Sequence, residues 1–244
     1  MKRFNIQDNQ YQFPYHYLPT FNSGKISRKR ELQWGVEYLS YLKFVIDKIL
    51  EYHVSSVLDV GCGDGRFLNI LNEIGNFNKI KGIDLSARAV KLAQALNYGI
   101  EFDVKDIKDE TGTYEAVVCI EVLEHIPEEE LTGFLSGICN TLCKDGRVFI
   151  TVPSVNLPLN KKHYRHYTVQ LLEKQLQDSG LKLEEYFYIV PLSTTWDKIA
   201  QKLLNNHFYE MKIYDNWCWK RLWRKKLIAT ADNSSHIFAI LRVE

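Results

Sequence analysis

A short apolar run at residues 55–60 leads into a loop with glycines at alternate positions, Gly61, Gly63 and Gly65. Apolar residues at three- and four-residue spacing follow at 67–74, which predicts the order strand, glycine loop, helix. Glycines in such a loop allow positive φ and a close approach of the backbone to a ligand, and the helix start offers free N–H groups. The loop is therefore predicted to hold a cofactor.

Two carboxylates, Asp59 and Asp64, flank the first glycines. Dinucleotide folds usually carry G-x-G-x-x-G and phosphate-binding NTPase loops end in G-K-[ST], and this loop has neither pattern. An acidic loop suits a ligand with positive charge. The stretch V-L-D-V-G-C-G-D-G resembles the first motif of class I S-adenosylmethionine-dependent methyltransferases. The resemblance implies S-adenosylmethionine as the cofactor, with an amino group and a sulfonium, held by the loop from Asp59 to Gly65.

The remaining segments alternate between strand and helix patterns, which predicts an α/β fold. The resemblance implies a doubly wound, Rossmann-like sheet of seven strands, with strands 1–6 parallel and strand 7, at 236–242, antiparallel. Residues 1–54 are predicted to form an aromatic, basic arm and an amphipathic helix that act as a cap or lid. Residues 55–244 form the methyltransferase domain, with a helical insertion at about 191–235.

The second predicted strand ends in an acid, Asp84, followed by Leu85. A carboxylate at that place lies beside the first loop and can accept both ribose hydroxyls, so these residues are assigned to cofactor binding. The family carries an acid after the third strand, near the adenine amino group. Asp106, followed by Ile107, fits this position best, and Asp103 is the alternative.

The stretch E-V-L-E-H places Glu121, Glu124 and His125 after the fourth predicted strand. The carboxyl ends of parallel strands line the crevice of such a sheet, so chemistry is expected here, with Glu121 pointing toward the cofactor. The stretch resembles the fourth motif of a broad methyltransferase group that includes quinone-pathway O-methyltransferases. It also resembles the small-RNA terminal 2′-O-methyltransferases.

In those small-RNA enzymes both glutamates and the histidine bind a divalent metal together with a distant second histidine. The resemblance implies the same ligands here, namely Glu121, Glu124, His125 and His163. The competing interpretation has no metal, and His125, His163 or His166 takes the proton of an attacking hydroxyl as a general base. A structural role for any of the three histidines is the third alternative.

Candidate acceptor contacts occur in two segments of the sequence. Ser154 and Asn156 follow the fifth strand and could bind substrate hydroxyls, or could serve only to form the turn. Tyr15, His16 and Tyr17 lie in the arm and could contact substrate, or could simply pack on the domain.

Composition limits the compartment and the partners. The chain has no run of about 18 apolar residues and no apolar signal core, and its five cysteines are odd in number, so a cytoplasmic protein with reduced thiols is expected. Net charge is +1, yet residues 1–30 and 212–226 each hold six basic residues and one acid. These segments suggest an anionic partner, such as a phosphorylated substrate, RNA or a peripheral membrane contact, or they are solvated lysine-rich faces.

The first functional hypothesis is an O-methyltransferase for a small, anionic acceptor, phosphorylated or glycan-linked, with surface-polysaccharide tailoring as one setting. The alternative is a metal-dependent 2′-O-methyltransferase of RNA ends, although a net charge of +1 argues against extended phosphate binding. A further alternative is a non-catalytic cofactor-binding or membrane-associated scaffold.

Overall fold

The computed structural model describes residues 8, 20–22, 25–27, 31–196, 199, 203, 213, 217, 220 and 227–244. Strands β1 (Thr20–Asn22) and β2 (Lys25–Ser27) form an antiparallel hairpin ahead of helix α1 (Glu31–Glu51). Most of the predicted arm and of the predicted helical insertion lies outside the described residues.

The domain that follows alternates strands and helices, as the sequence pattern predicts. Its helices are α2 (Arg66–Ile74), α3 (Ala87–Leu96), α4 (Glu128–Thr141) and α5 (Val169–Leu176). Its strands are β3 (Ser56–Val60), β4 (Lys79–Asp84), β5 (Glu101–Val104), β6 (Tyr114–Ile120), β7 (Leu142–Pro153), β8 (Leu181–Pro191) and β9 (Ser234–Val243).

These seven strands form one sheet in the order β5-β4-β3-β6-β7-β9-β8. The pairs from β5 to β7 are parallel, whereas β9 runs antiparallel to both of its neighbours, β7 and β8. The predicted fold class is therefore confirmed, including the antiparallel last strand.

Helices cover both faces of the sheet, so its central strands are apolar on both sides. On one face Leu42 of α1, Leu68 of α2 and Val90 of α3 pack against Val57 and Val118. On the other face α4 and α5 pack over a second cluster. Among the described residues, no helix combines the length and the apolar character that crossing a membrane requires.

The parallel strands β3, β4, β6 and β7 all end at one edge of the sheet, which is where ligands bind in folds of this kind. Strand β9 begins at the same edge because it is antiparallel, with His236 opposite Pro153 of β7 and Ile189 of β8. The described cysteines Cys62, Cys119, Cys139 and Cys143 are free thiols, and Cys218 lies outside the described residues.

Candidate active site

The glycine loop turns sharply between β3 and α2. Gly61, Gly63 and Gly65 have φ values of 75°, 56° and 77°, in the left-handed region that favours glycine. A Cβ at Gly61 would lie 2.6 Å from Val122 Cγ2, so the loop packs directly against the segment that follows β6. The loop and the E-V-L-E-H segment thus share one wall of the crevice.

The Asp84 carboxylate links the glycine loop to the residues that follow β4. Its Oδ2 accepts a hydrogen bond from Gly63 N at 3.0 Å, and its Oδ1 accepts one from Ser86 N at 2.8 Å. Burial raises the pKa of Asp84, and the backbone donors Ser86 and Gly63 oppose that rise. The predicted ribose ligand is therefore held in place at the end of β4.

One described residue of the arm, Asp8, contacts this region. The Asp8 carboxylate accepts a hydrogen bond from Ser86 Oγ, and its Oδ2 lies 3.4 Å from Arg88 Nη1. Sequence reasoning missed Asp8, because nothing in the spacing of residues 1–30 signals where a lone aspartate will dock. The predicted substrate contacts Tyr15, His16 and Tyr17 lie outside the described residues.

Two more acids of the predicted cofactor site lie beside Asp84. Asp59 is 2% exposed, and burial, followed by the charges of Asp84 and Asp64, raises its pKa to about 8. Asp64 is also buried, and its Oδ1 accepts from Arg66 N at 3.3 Å. The result is a concentration of carboxyl groups around the glycine loop, in which Asp59 keeps its proton at neutral pH.

The two candidate adenine ligands have different surroundings. Asp103 Oδ2 lies 2.7 Å from Lys81 Nζ, which also pairs with Glu101. Asp106 instead caps the short 3-10 turn Ile107–Asp109, where its Oδ1 accepts from Lys108 N at 3.0 Å. Asp103 is thus engaged in an ion-pair network, and Asp106 remains the predicted contact.

The two apolar residues of the predicted cofactor site differ in exposure. The side chain of Leu85, next to Asp84, is 54% exposed, whereas Ile107 is 2% exposed and packs in the core. Leu85 is therefore available to a ligand in the crevice, and Ile107 supports the turn from beneath.

A second group of polar side chains lies on the 3-10 turn Leu123–His125. Glu124 is fully buried, and neither of its carboxylate oxygens accepts a hydrogen bond from the residues that the structure describes. His125 Nε2 lies 3.6 Å from Glu124 Oε1. Glu124, His125 and His163 each place one ligand atom within 4.8 Å of the others, a group we call the EHH cluster.

Hydrogen bonds assign the tautomers of the histidines. His166 Nδ1 donates to Leu157 O at 3.0 Å, so its Nε2 accepts from His163 Nδ1 at 2.8 Å. His125 Nδ1 lies 3.3 Å from Lys162 O and donates to it. Both His125 and His163 therefore carry their lone pair on Nε2, the arrangement that outer hydrogen bonds impose on metal-binding histidines.

Burial also governs the charges of the EHH cluster. Burial, followed by the negative charge of Glu121, holds the pKa of Glu124 well above its ordinary value. Burial lowers the pKa of His125, and burial together with the neighbouring His125 and His166 lowers the pKa of His163 to about 3. The imidazoles are neutral at physiological pH, as ligation of a cation requires.

Arg165 clamps the turn that bears the EHH cluster. Its Nη1 donates to Leu123 O at 3.1 Å and Ile126 O at 2.7 Å, and its Nη2 lies 2.8 Å from Glu128 Oε2. Tyr164 N donates to the carbonyl of Glu124 at 2.8 Å. Sequence reasoning missed Arg165, since its partners are backbone carbonyls that no motif marks.

Glu121 lies outside the EHH cluster, so the structure brings together three of the four predicted metal ligands. Its φ is 56°, an uncommon value for a residue with a side chain. Its Oε2 lies 3.4 Å from Nε2 of His236, a residue that sequence reasoning did not single out, and its buried Oε1 accepts no hydrogen bond from the described part of the chain. The left-handed backbone turns this side chain toward β9.

The polar groups of Ser154 and Asn156 serve the local loop. Ser154 is 2% exposed, and its Oγ accepts from Asn156 N at 3.3 Å. Asn156 Nδ2 donates to Ala231 O at 2.7 Å and Ser234 O at 3.0 Å. These bonds favour the turn-forming alternative over substrate binding.

The glycine loop, the acid after β4 and the E-V-L-E-H segment therefore meet at one edge of the sheet. A sequence model of the methyltransferase domain family matches residues 26–186, more than half of the chain. The chain belongs to the methyltransferase domain family. The predicted family, the class I S-adenosylmethionine-dependent methyltransferases, is confirmed.

Curated relatives of this methyltransferase include two ubiquinone biosynthesis O-methyltransferases. The protein from Paraburkholderia xenovorans is 34% identical over 138 residues, which are 50% of this chain and 56% of the relative. The protein from Xanthomonas axonopodis pv. citri is 28% identical over 162 residues, or 56% of this chain and 66% of the relative. The chain thus spans between about half and two thirds of the length of these relatives.

Solved structures confirm the fold of the methyltransferase. Magnesium protoporphyrin IX methyltransferase from Synechocystis PCC 6803, solved with bound SAM, has a TM-score of 0.59 at 17% identity, covering 99% of this chain and 98% of the other. The methyltransferase domain of bacterial CtHen1-CN has a TM-score of 0.57 at 16% identity, covering 87% and 100%. At such identities the likeness establishes the fold alone.

Proposed function

We propose that the protein transfers the methyl group of S-adenosylmethionine to an oxygen atom of a small acceptor. The observation that carries this proposal is the EHH cluster, a buried carboxylate with two neutral imidazoles, of which Glu124 and His125 follow Val122, the residue that packs against the glycine loop. Methyl transfer is an in-line displacement, so the site must align the reactants and take up a proton from the acceptor hydroxyl. The relatives named as O-methyltransferases support transfer to oxygen.

The residues around the glycine loop suit this donor. Positive φ at Gly61 and the contact distance to Val122 leave room for backbone rather than side chain at the loop. Asp84 presents a carboxylate that two backbone donors hold at the end of β4, where it can accept ribose hydroxyls. The acids beside the loop favour a donor with an amino group and a sulfonium, because a nearby positive charge stabilises their ionised forms.

The EHH cluster fits a divalent cation better than it fits a general base. Among the described residues none donates a hydrogen bond to the buried Glu124 carboxylate, and a cation would supply a positive partner. His163, with a pKa of about 3, holds a proton poorly, whereas its Nε2 lone pair suits a metal ion. A bound cation would polarise the acceptor oxygen and ease loss of its proton.

The acceptor is the least constrained part of the proposal. The basic segments at 1–30 and 212–226, on which the prediction of an anionic or glycan-linked acceptor depends, lie mostly outside the described residues. A small hydroxyl-bearing molecule accords with the names of the curated relatives. The phosphorylated or glycan-linked acceptor, peripheral membrane contact and the cytoplasmic location stay predictions.

A second candidate, 2′-O-methylation of RNA ends, is favoured by one specific observation, the three-residue EHH cluster. The resemblance of E-V-L-E-H and His163 to the small-RNA enzymes implies a metal for that reaction. A metal-dependent transfer to short RNAs would support this candidate, and transfer that survives complete metal removal would overturn it.

A transfer assay with labelled S-adenosylmethionine tests the proposal. Phenols, phosphorylated sugars, nucleotide sugars and short RNAs serve as acceptors, each with added Mg²⁺ or Mn²⁺ and with EDTA. We expect transfer to a small acceptor that chelation abolishes and metal restores. Tight cofactor binding without transfer to any acceptor would instead support the cofactor-binding scaffold and contradict the proposal.

A further inference from the structure

A long insertion, residues 192–226, separates the last two strands of the sheet. Strand β8 ends at Pro191 and β9 begins at Ser234, and these two residues pair with each other. A short turn would suffice to connect paired antiparallel strands, so the insertion is not needed for the connection. Strand β8 runs in the same direction as β7, because both are antiparallel to β9. The insertion is therefore attached at the edge of the sheet that carries the candidate active site.

Hydrogen bonds anchor the residues that follow the insertion on β8. Val190 N donates to Leu227 O at 2.7 Å, and Ala229 N donates to Tyr188 O at 2.8 Å. The side chain of Leu227 is buried in the core cluster beneath α1. A partner that binds the insertion would therefore hold the whole domain.

The first helical part of the insertion exposes apolar side chains. Trp196, Ile199 and Leu203 are helical, and spacings of three and four residues place side chains on one face of a helix. All three are exposed, and the large side chain of Trp196 is 78% exposed. Such side chains are ordinarily buried for most of their area, so an exposed row of them indicates a surface that meets a partner.

The second helical part of the insertion combines apolar and basic side chains. Ile213, Trp217 and Lys220 are helical and exposed, at spacings of four and three residues, and Ile213 is 81% exposed. Residues 212–226 hold six basic residues and one acid, whereas residues 192–211 hold two of each. The positive charge of the insertion therefore lies in its second part, beside exposed tryptophan and isoleucine.

Exposed tryptophan, aliphatic and basic side chains on helices are the combination that suits an anionic membrane surface. The apolar side chains enter the boundary between headgroups and acyl chains, and lysine and arginine attract anionic headgroups. We propose that the insertion is a membrane-docking surface, which holds the methyltransferase domain on an anionic bilayer. The inference concerns a surface outside the candidate active site, so it does not depend on which acceptor is methylated.

Two other occupants fit this surface less well. A second copy of the chain would bring the same surface against itself in a two-fold dimer, where the basic segments at 212–226 would repel each other. A nucleic acid would neutralise the basic residues but would leave aliphatic side chains such as Ile199 and Ile213 in water. An anionic bilayer accommodates both kinds of side chain.

Sedimentation of the full chain with lipid vesicles tests the proposal. Vesicles of phosphatidylcholine alone are compared with vesicles of phosphatidylcholine and phosphatidylglycerol in equal parts. We expect the protein to bind the anionic vesicles at least about tenfold more tightly than the neutral ones. High salt should weaken binding to the anionic vesicles, because it screens the attraction between basic residues and headgroups.

Substitutions in the two helical parts identify the docking surface. Trp196→Ala combined with Ile213→Ala should weaken binding to anionic vesicles at least about tenfold, because two exposed apolar side chains no longer enter the bilayer. Lys220→Glu should weaken binding about fivefold at low salt and less at high salt.

The matched controls lie at the opposite edge of the sheet, where β5 and β7 begin. Tyr98→Ala removes an exposed aromatic side chain, and Lys144→Glu reverses an exposed charge. Both controls should bind anionic vesicles as the wild type does. Thermal unfolding of every variant should match that of the wild type, since each substituted side chain is exposed, and this measurement separates lost docking from misfolding.

Several results would overturn the inference. They are absence of vesicle binding by the wild type, full binding by the double variant at residues 196 and 213, and equal losses in the controls. Self-association without lipid that the double variant abolishes would assign the surface to a second copy of the chain instead. Binding of short RNA without binding of vesicles would assign it to nucleic acid.

Discussion

Asp84 and Glu124 are both carboxylates at the same edge of one sheet, but their partners differ. Asp84 accepts from the backbone of Gly63 and Ser86, so the chain itself completes its hydrogen bonding. Glu124 is buried deeper, accepts no hydrogen bond within the described ranges, and lies beside imidazoles that present lone pairs. We call the glycine loop with Asp84 the cofactor half of the site and the EHH cluster the EHH half. The carboxylate of the cofactor half has its hydrogen-bond donors within the chain, whereas the EHH half requires an additional proton or cation to balance its charge.

The largest expected effect comes from the EHH half. Glu124→Gln removes the ionisable carboxyl group while keeping the shape, and we expect kcat to fall about 1,000-fold because proton removal or cation binding is lost. His163→Ala should have a comparable effect. The dissociation constant for S-adenosylmethionine, measured by calorimetry, should change less than about twofold in both variants.

The control for these variants is Glu129→Gln, an exposed glutamate in the first turn of α4. It should retain wild-type kcat. If Glu124→Gln kept more than a tenth of the activity, the EHH half would not contain the chemistry, and the contrast with the cofactor half would fail.

Substitutions of glycine test whether the two halves of the site pack directly against each other. Gly61→Ala and Gly99→Ala both place a Cβ at positive φ, but only the Cβ at Gly61 meets a neighbour, Val122 Cγ2 at 2.6 Å, whereas Gly99 faces open space. We expect losses of unfolding free energy of about 3 and about 1 kcal/mol, respectively, by urea titration. Cofactor affinity should fall only in Gly61→Ala, and equal losses would contradict direct packing between the halves.

The acid cluster of the cofactor half predicts a pH dependence of stability. The pKa of Asp59 is about 8 in the fold, above its ordinary value of about 3.9 in the unfolded chain. Between these values the folded state binds the extra proton, so stability falls as pH rises toward 8, by at most about 1.4 kcal/mol per pH unit. Asp59→Asn should flatten this slope between pH 5 and 8 in urea titrations, and an unchanged slope would assign it to other groups.

The smallest expected effect concerns the clamp on the EHH turn. The planar guanidinium of Arg165 donates to the carbonyls of Leu123 and Ile126 and pairs with Glu128 at the same time. Arg165→Lys keeps the positive charge, but a lysine ammonium cannot make all three contacts. We expect kcat to fall about fivefold at constant KM for the cofactor. Arg242→Lys, exposed on β9, is the matched control, and equal behaviour of the two variants would remove Arg165 from the site.

The sequence predicts the cofactor half well because its parts are local. The strand, the glycines and the acid after β4 are each recognisable within a few residues, and their assembly follows from the parallel sheet. The EHH cluster was predicted in part, since His163 was found through a family resemblance rather than from spacing. Its grouping with Glu124 and His125 depends on how the segment after β7 folds back, which no local pattern encodes.

His236 and the orientation of Glu121 could not be predicted. The contact between them depends on the antiparallel register of β9 with β7 and on a left-handed backbone at Glu121. Neither feature leaves a signal in the sequence, because E-V-L-E-H carries no glycine to mark the unusual φ. The prediction that placed Glu121 among metal ligands followed the resemblance, and the structure places its side chain against β9.

The position of β9 also bears on the order of folding. The parallel strands β3 to β7 are connected by crossovers of moderate length, whereas β9 pairs with both β7 and β8 and follows both in the chain. Contacts across long sequence separations form late because loop closure costs entropy before any pairing repays it. We therefore expect the glycine loop to become ordered before Glu121 meets His236, so that this edge of the sheet is completed only when β9 pairs with β7.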